Sequence, residues 1–356
     1  MRAQERRGEV VATLKSLQVS AKSVVQFLSD PNLVKQLRQD KSQNLAMLQQ
    51  EFNIGVEQIE ALYHFAKFQF DCGNYSGASE FLYHYRMLCT NPARNASALW
   101  GKLAAEILLQ NWDQAIEDFN RLKENIDKEA LNFESQAVPL VQRTWLMHWA
   151  LFIFFNHENG RNMLVDLYFQ EAYLNALQAD AQHLLRYLAV AVVVNKRKRS
   201  MLKELIKVIQ QEAYEYTDPV TDFLSNLFVK YDFEGAQQSL KECEKLLETD
   251  FFLAACKDEF VENARLFIFQ EFCRIHQTID LKMLSEKLNM DLRAAELWIA
   301  NLIRNARLNA KIDSQAGTVV MKQAYSSPYD QVVEKMRGLS TRTFALSNTL
   351  IGSGKV

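Results

Sequence analysis

The sequence predicts a mainly α-helical protein: a helical-repeat solenoid, then a winged helix, then one C-terminal helix. Three observations carry that reading. Across 356 residues, only 11 Gly and 5 Pro accompany 48% apolar side chains, a balance that favours long helices with few turns. A short corner motif recurs three times, each time after an apolar helix. Beyond residue 309 the apolar period changes from helical to alternating, which places a small hairpin after three helices.

The N-terminal helices occupy residues 1–58. Val10–Leu28 is amphipathic, and Asp30-Pro31 ends it while opening a second helix towards Phe52. The opening MRAQERRGEV is charged and no apolar core follows, which argues against a secretory signal. A helix this close to Met1 reads as a truncated or alternatively started product.

The solenoid spans 59–250. Its corners are Asn74-Tyr75-Ser76-Gly77-Ala78 then Leu82, Asn111-Trp112-Asp113-Gln114-Ala115 then Phe119, and Asp232-Phe233-Glu234-Gly235-Ala236 then Leu240. Each runs Asn or Asp, aromatic, two spacers, Ala, three spacers, large apolar. The Asn or Asp side chain is suited to cap the incoming helix, and the aromatic to wedge against the preceding one. Ala lets two backbones approach, and the residue four later shares its face. Hairpins stacked this way make a solenoid of the tetratricopeptide or HEAT kind.

Between the second and third corners lie Arg143–Phe155, Asn162–Ala179 and His183–Val194. The longest apolar run, Trp145–Phe155, has eleven residues, too few to span a bilayer. It reads as a buried helix with His148 as a satisfied core histidine. Lys196, Arg197, Lys198 and Arg199 follow, a solvated loop or a basic patch for nuclear import or RNA. Ser200 is placed to cap the helix Met201–Tyr214.

The winged helix covers 251–323. Ala264, Ile268, Phe272 and Ile275 line its first helix, and Asp280 caps a short second one bearing Leu281, Leu284 and Leu288. Asp291 caps the third, where Leu292, Ala295, Ile299, Leu302 and Ala306 recur at helical spacing. Ala310–Asp313 and Thr318–Met321 then alternate around Gly317. From Glu262 to Gln323 there are nine Lys or Arg against seven Asp or Glu, too small an excess for the basic face of a groove reader. The wing therefore reads as a protein-docking surface, with Leu292, Trp298, Leu302, Ile312 and Val319 as candidate contacts.

In the tail, 324–356, Val332, Met336, Leu339, Thr343, Leu346 and Leu350 are spaced four, three, four, three, four. That is an a/d seam with one polar position, seeking partner helices or the winged helix itself. Gly338 weakens the helix.

No catalytic constellation emerges. The six His and five Cys form no metal-ligand spacing, and no G-x-S-x-G, H-E-x-x-H or dinucleotide-binding glycine pattern is present. No metal, cofactor or small-molecule substrate is therefore assigned. Five widely spaced cysteines without a C-x-x-C pair read as reduced thiols of a cytosolic or nuclear protein. A formal net charge of −2 offers no electrostatic case for a membrane or nucleic acid.

A solenoid followed by a winged helix is the layout of the PCI domain, placed here from about residue 150. Several segments also closely resemble the e-type PCI scaffold family of eukaryotic translation initiation factor 3. They are Lys67–Arg86 (KFQFDCGNYSGASEFLYHYR), Leu99–Lys123, Gln142–His157 (QRTWLMHWALFIFFNH), Lys207–Pro219, Glu262–Gln277 (ENARLFIFQEFCRIHQ), Asn301–Ser314 and Ser327–Lys335. The resemblance implies a non-catalytic scaffold whose partners are other PCI and MPN subunits and the small ribosomal subunit. It extends to the scaffold protein of the cap-binding complex and to mRNA, in a cytoplasmic and also nuclear setting. Two departures stand beside the resemblance: the family's further N-terminal helical segment is missing before Met1, and the basic run Lys196–Arg199 is shorter than the family's. The competing readings are a PCI scaffold of the COP9 signalosome or proteasome lid, and a winged-helix nucleic-acid-binding regulator.

Overall fold

A computed structural model describes residues 2–30, 33, 40–130, 137–195, 200–276, 278–288, 293, 296–297, 299–301, 310–313, 317–321 and 328–353. These residues divide into two compact units, Met1–Ser225 with Ser239–Asn263, and Asn226–Gln238 with Ala264–Val356.

The first unit is a succession of helices. They are α1 (Arg2–Leu28), α2 (Lys41–Phe52), α3 (Val56–Asp71), α4 (Tyr75–Leu88), α5 (Pro92–Leu108) and α6 (Trp112–Ala130). Next come α7 (Ala137–Asn156), α8 (Gly160–Tyr168), α9 (Glu171–Asp180), α10 (Leu184–Val194), α11 (Leu202–Glu212) and α12 (Pro219–Ser225). Neighbours in sequence are mostly neighbours in space. From α3 to α8 each helix packs on the next, α1 packs on α3, and α10 packs on α8, α11 and α12. This is the helical-repeat arrangement that the corner motif predicts. One end of the core joins Val24 and Phe27 of α1, Leu48 of α2, Leu62 of α3 and Leu82 and Tyr85 of α4.

The corners behave as their residue types require, with two corrections. Ala78, Ala115 and Ala236 are fully buried, and Leu82, Phe119 and Leu240 are buried four residues on. Asn74 accepts from the Gly77 N–H at 3.2 Å, and Asp232 accepts from Glu234 and Gly235 at 3.1 and 3.0 Å. Asn111 departs from this: its side-chain bond is the amide donating back to Glu106 at 3.0 Å rather than an accepted cap bond. Tyr75 wedges against Phe70 of the preceding helix at 5.2 Å, as expected. Phe233 instead sets its edge against Phe272 of a later helix, also at 5.2 Å.

A third shared feature is in the backbone. Gly73, Gln110 and Tyr231, each one residue before the Asn or Asp, have φ of 87, 61 and 55°. A left-handed residue there closes the preceding helix. Asn74 N–H reaches Gln69 O at 2.9 Å and Asn111 N–H reaches Glu106 O at 3.1 Å. At the third corner a π-helical turn, Asn226–Lys230, lengthens the loop, so Asp232 N–H reaches Asn226 O at 2.9 Å.

Two helix boundaries differ from expectation. The helix reaching Phe52 starts afresh at Lys41, because Asp40 caps it by accepting from Ser42 N–H at 2.9 Å. A 3₁₀ turn at Ser200 and Met201 leads into α11, so Met201 rather than Ser200 holds the cap position. Near α10, Arg186 Nε donates to Asp218, Tyr216 donates to the same carboxylate at 3.2 Å, and Tyr187 donates to Asp250 at 3.1 Å.

The second unit contains parts of α13 (Phe233–Thr249) and α14 (Lys257–Ile275), then β1 (Thr278–Asp280), α15 (Leu281–Leu288), β2 (Ala310–Asp313), β3 (Thr318–Met321) and α16 (Pro328–Ser353). The sheet order is β1-β3-β2, antiparallel throughout. Ile279, Val319 and Ile312 share one register row, and Thr278, Val320 and Lys311 the next. Asp280 caps α15 as expected, accepting from Lys282 N–H at 2.9 Å. Gly317, at φ 63°, makes the turn and its carbonyl accepts from Leu281 N–H at 2.9 Å.

Candidate docking surfaces

The predicted contacts fall on two elements and on residues outside the description. In the sheet, Val319 is fully buried and Ile312, its register partner, is half-buried. Side chains alternate along a strand, so Val320 turns to the other face, where it is 38% exposed. Leu292, Trp298 and Leu302 lie outside the described residues, as do Lys196, Arg197, Lys198 and Arg199. Ile299, on the same helical stretch, is fully buried, while Leu297 is exposed.

The tail seam is on α16. Val332, Met336, Leu339 and Leu346 are 54, 64, 62 and 61% exposed, and Phe344 beside them is 69% exposed. Leu350 lies within the helix. Thr343, the polar seam position, donates its hydroxyl to Leu339 O at 2.9 Å, so the helix itself satisfies it. An exposed apolar row at 3,4 spacing has the pattern of one side of a helix–helix seam.

A further surface was hidden in the sequence. The run Trp145–Phe155 reads as buried, yet Trp145 is 59% exposed, and Val138 and Val141 on the same helix are 45 and 46% exposed. Leu146, Met147, Ala150, Leu151, Ile153 and Phe154 form the buried side of α7. A helix apolar on every side carries no periodic signal, so its outward row cannot be told from its inward one. Nearby rings extend the apolar character: Trp149 and Phe152 lie 5.9 Å apart, and Phe152 meets Phe252 at 4.9 Å.

His148 also departs from expectation. It is half-buried, its Nδ1 contacts Thr144 O at 2.7 Å, and its Nε2 contacts His183 Nε2 at 2.7 Å. Burial, then the neighbouring His148 and Arg186, lower the pKa of His183.

A cleft of about 870 Å³ is lined by Asn111, Trp112, Asp113, Glu117, Asn156 and His157 among others. Its closest acid–base contact is His157 with Asp113 at 3.4 Å, and Asp113 is 99% exposed. With Asp113 in water, this is a weak solvated contact on a polar surface. Burial raises the pKa of the Cys243 and Cys256 thiols, which disfavours thiolate chemistry at both. No described helix is long and apolar enough to cross a membrane.

Comparison with known proteins bears on the whole chain. The family model for the eIF3 subunit 6 N terminal domain matches residues 2–69, and that for the PCI domain matches 240–323. The chain is similar to the E subunit of eukaryotic translation initiation factor 3 from Arabidopsis thaliana, 55% identical over 98% of this chain and 81% of the relative. The proteins of the same name from Bombyx mori and Drosophila ananassae are each 47% identical over 97% of this chain and 79% of theirs. Identity at that level across nearly every element described above is beyond convergence on a helical solenoid, and the chain belongs to the E-subunit family of eukaryotic translation initiation factor 3.

Proposed function

We propose that this chain is a non-catalytic scaffold component of translation initiation factor 3. It assembles with other PCI and MPN subunits on the small ribosomal subunit, and so promotes preinitiation-complex formation and mRNA recruitment in the cytoplasm. The observation that carries this reading is the identity with the factor's E subunit over 98% of the chain. The surfaces are of the matching kind. The exposed row of α16 and the outward Trp145 of α7 offer apolar area, which drives protein association without reactive groups.

In this reading residues 59–250 form the repeat arm and 251–323 the winged helix, while α16 joins helices from neighbouring subunits. Affinity purification of the full chain from cytosol, with mass-spectrometric identification, tests it. The expected result is recovery of the other factor subunits together with the small ribosomal subunit. Recovery of proteasome lid or signalosome subunits alone would overturn it.

A further inference from the structure

His148 and His183 are 35 residues apart in the chain, one on α7 and the other just before α10. Their Nε2 atoms meet at 2.7 Å, with ring centroids 4.9 Å apart and planes inclined by 40°. On its far side, His148 Nδ1 lies 2.7 Å from the carbonyl oxygen of Thr144, one helical turn back. A carbonyl only accepts, so this bond fixes the tautomer: Nδ1 carries the proton and Nε2 presents its lone pair. Holding one ring nitrogen on a backbone carbonyl is how metal-ligating histidines are oriented, and here the lone pair on the other nitrogen is turned to His183.

The geometry points to a site for a divalent transition metal, with Nε2 of His148 and Nε2 of His183 as its two protein ligands. Imidazole nitrogens select Zn²⁺, Ni²⁺ and Cu²⁺ over Mg²⁺ and Ca²⁺, which take oxygen ligands. Among the described residues no third His, Cys, Asp or Glu joins the pair, so water completes the coordination. There is room for it, because His183 is exposed.

The protons balance without an added reactant. In the metal-free pair, His183 donates Nε2–H into the lone pair of His148. On metal binding that proton passes through solvent to Nδ1 of His183, so both rings stay neutral and no net proton is released. Two Zn–N bonds of about 2.0–2.1 Å at a tetrahedral angle hold the nitrogens about 3.3 Å apart. The pair must therefore open by about 0.6 Å from its 2.7 Å contact. His148 is pinned within α7, so exposed His183 makes that movement. The bound ion ties α7 to the start of α10 and stabilises the first unit by an amount that grows with the logarithm of the free ion concentration above its Kd.

The test uses the full, tag-free chain, stripped with a chelator and titrated with Cu²⁺ or Zn²⁺ near pH 7. One Cu²⁺ per chain is expected, with nitrogen superhyperfine splitting from two imidazoles in the electron paramagnetic resonance spectrum. Zn²⁺ is expected to raise the unfolding temperature. His183→Ala, an exposed change, should lower Cu²⁺ affinity at least about tenfold, the least expected even for loss of an outer-shell partner, and leave one imidazole in the spectrum. Cys72→Ser, which removes an exposed thiol elsewhere, should leave both readouts intact. Absence of saturable binding, or a two-imidazole spectrum that survives His183→Ala, would overturn the assignment.

Discussion

The Lys102 ammonium on α5 lies 2.6 Å from the Asp118 carboxylate on α6, with the two side chains only 4 and 0% exposed. The second oxygen of Asp118 faces Arg121 at 3.4 Å and Arg86 of α4 at 3.9 Å. One buried carboxylate thus joins three successive helices. Beside it, Ser79 of α4 donates to Glu106 of α5, which also accepts from Asn111 in the corner. Removing Asp118 strands Lys102 in a dry interior, whereas removing Lys102 leaves Asp118 its two arginines. We expect Asp118→Asn to cost about 3–5 kcal/mol and Lys102→Met clearly less. Urea denaturation followed by circular dichroism measures both, and the reverse order would show that the arginines do not shield the carboxylate.

The left-handed corner residues make a second prediction. Gln110 holds φ 61°, a conformation that costs a side-chain-bearing residue free energy and glycine almost none. Gln110→Gly should therefore stabilise the fold by about 1 kcal/mol, despite the greater freedom it gives the unfolded chain. Gly73→Ala, at φ 87°, should destabilise by a similar amount. Thermal unfolding of the two variants checks the pair, and equal shifts of the same sign would refute it.

Alkaline pH should open the region around Arg186. Burial raises the Tyr187 phenol to about 12, helped by the Asp250 carboxylate, and burial with Asp218 raises Tyr216 to about 12. Both start from 10.0, so the folded state keeps a proton that the unfolded state has lost. Their stabilising contribution is complete below pH 10 and is lost as the pH rises from 10 towards 12. Circular dichroism against pH should show that loss, and Tyr187→Phe with Tyr216→Phe should flatten it. An unchanged profile in the double variant would place the alkaline transition elsewhere.

On α16, folding and assembly should separate. A Cβ at Gly338 meets nothing within 4 Å, so Gly338→Ala should favour the helix by about 1 kcal/mol without a clash. Met336→Glu with Leu339→Glu alters side chains already in water, so the isolated chain should unfold at the same denaturant concentration. Co-purification with factor subunits should nevertheless fall sharply, since two charges would be desolvated in the contact. Loss of folding in that variant would mean that the seam serves this chain's own core.

Much of the architecture was legible because its causes are local. Ala78, Ala115 and Ala236 could be read as close-approach positions from spacing alone, and all three are fully buried. The period change at Ala310–Met321 likewise announced the paired strands. The corner backbone was not legible, since nothing about Gln110 or Tyr231 as a residue type signals positive φ. Closure of the helix before it imposes that conformation. Nor could α7 be divided into inner and outer sides when apolar residues occupy both.

By itself, then, the sequence determined the helices, the corners, the winged helix and the family. Hydrophobic period, capping and small-residue spacing act over a few residues and leave their mark in order along the chain. Tertiary structure alone decided which groups meet across long separations. Trp145 faces water, Asp118 sits under three cations, and His148 finds His183 because helix packing sets those distances. No spacing rule reaches across 35 residues of intervening chain.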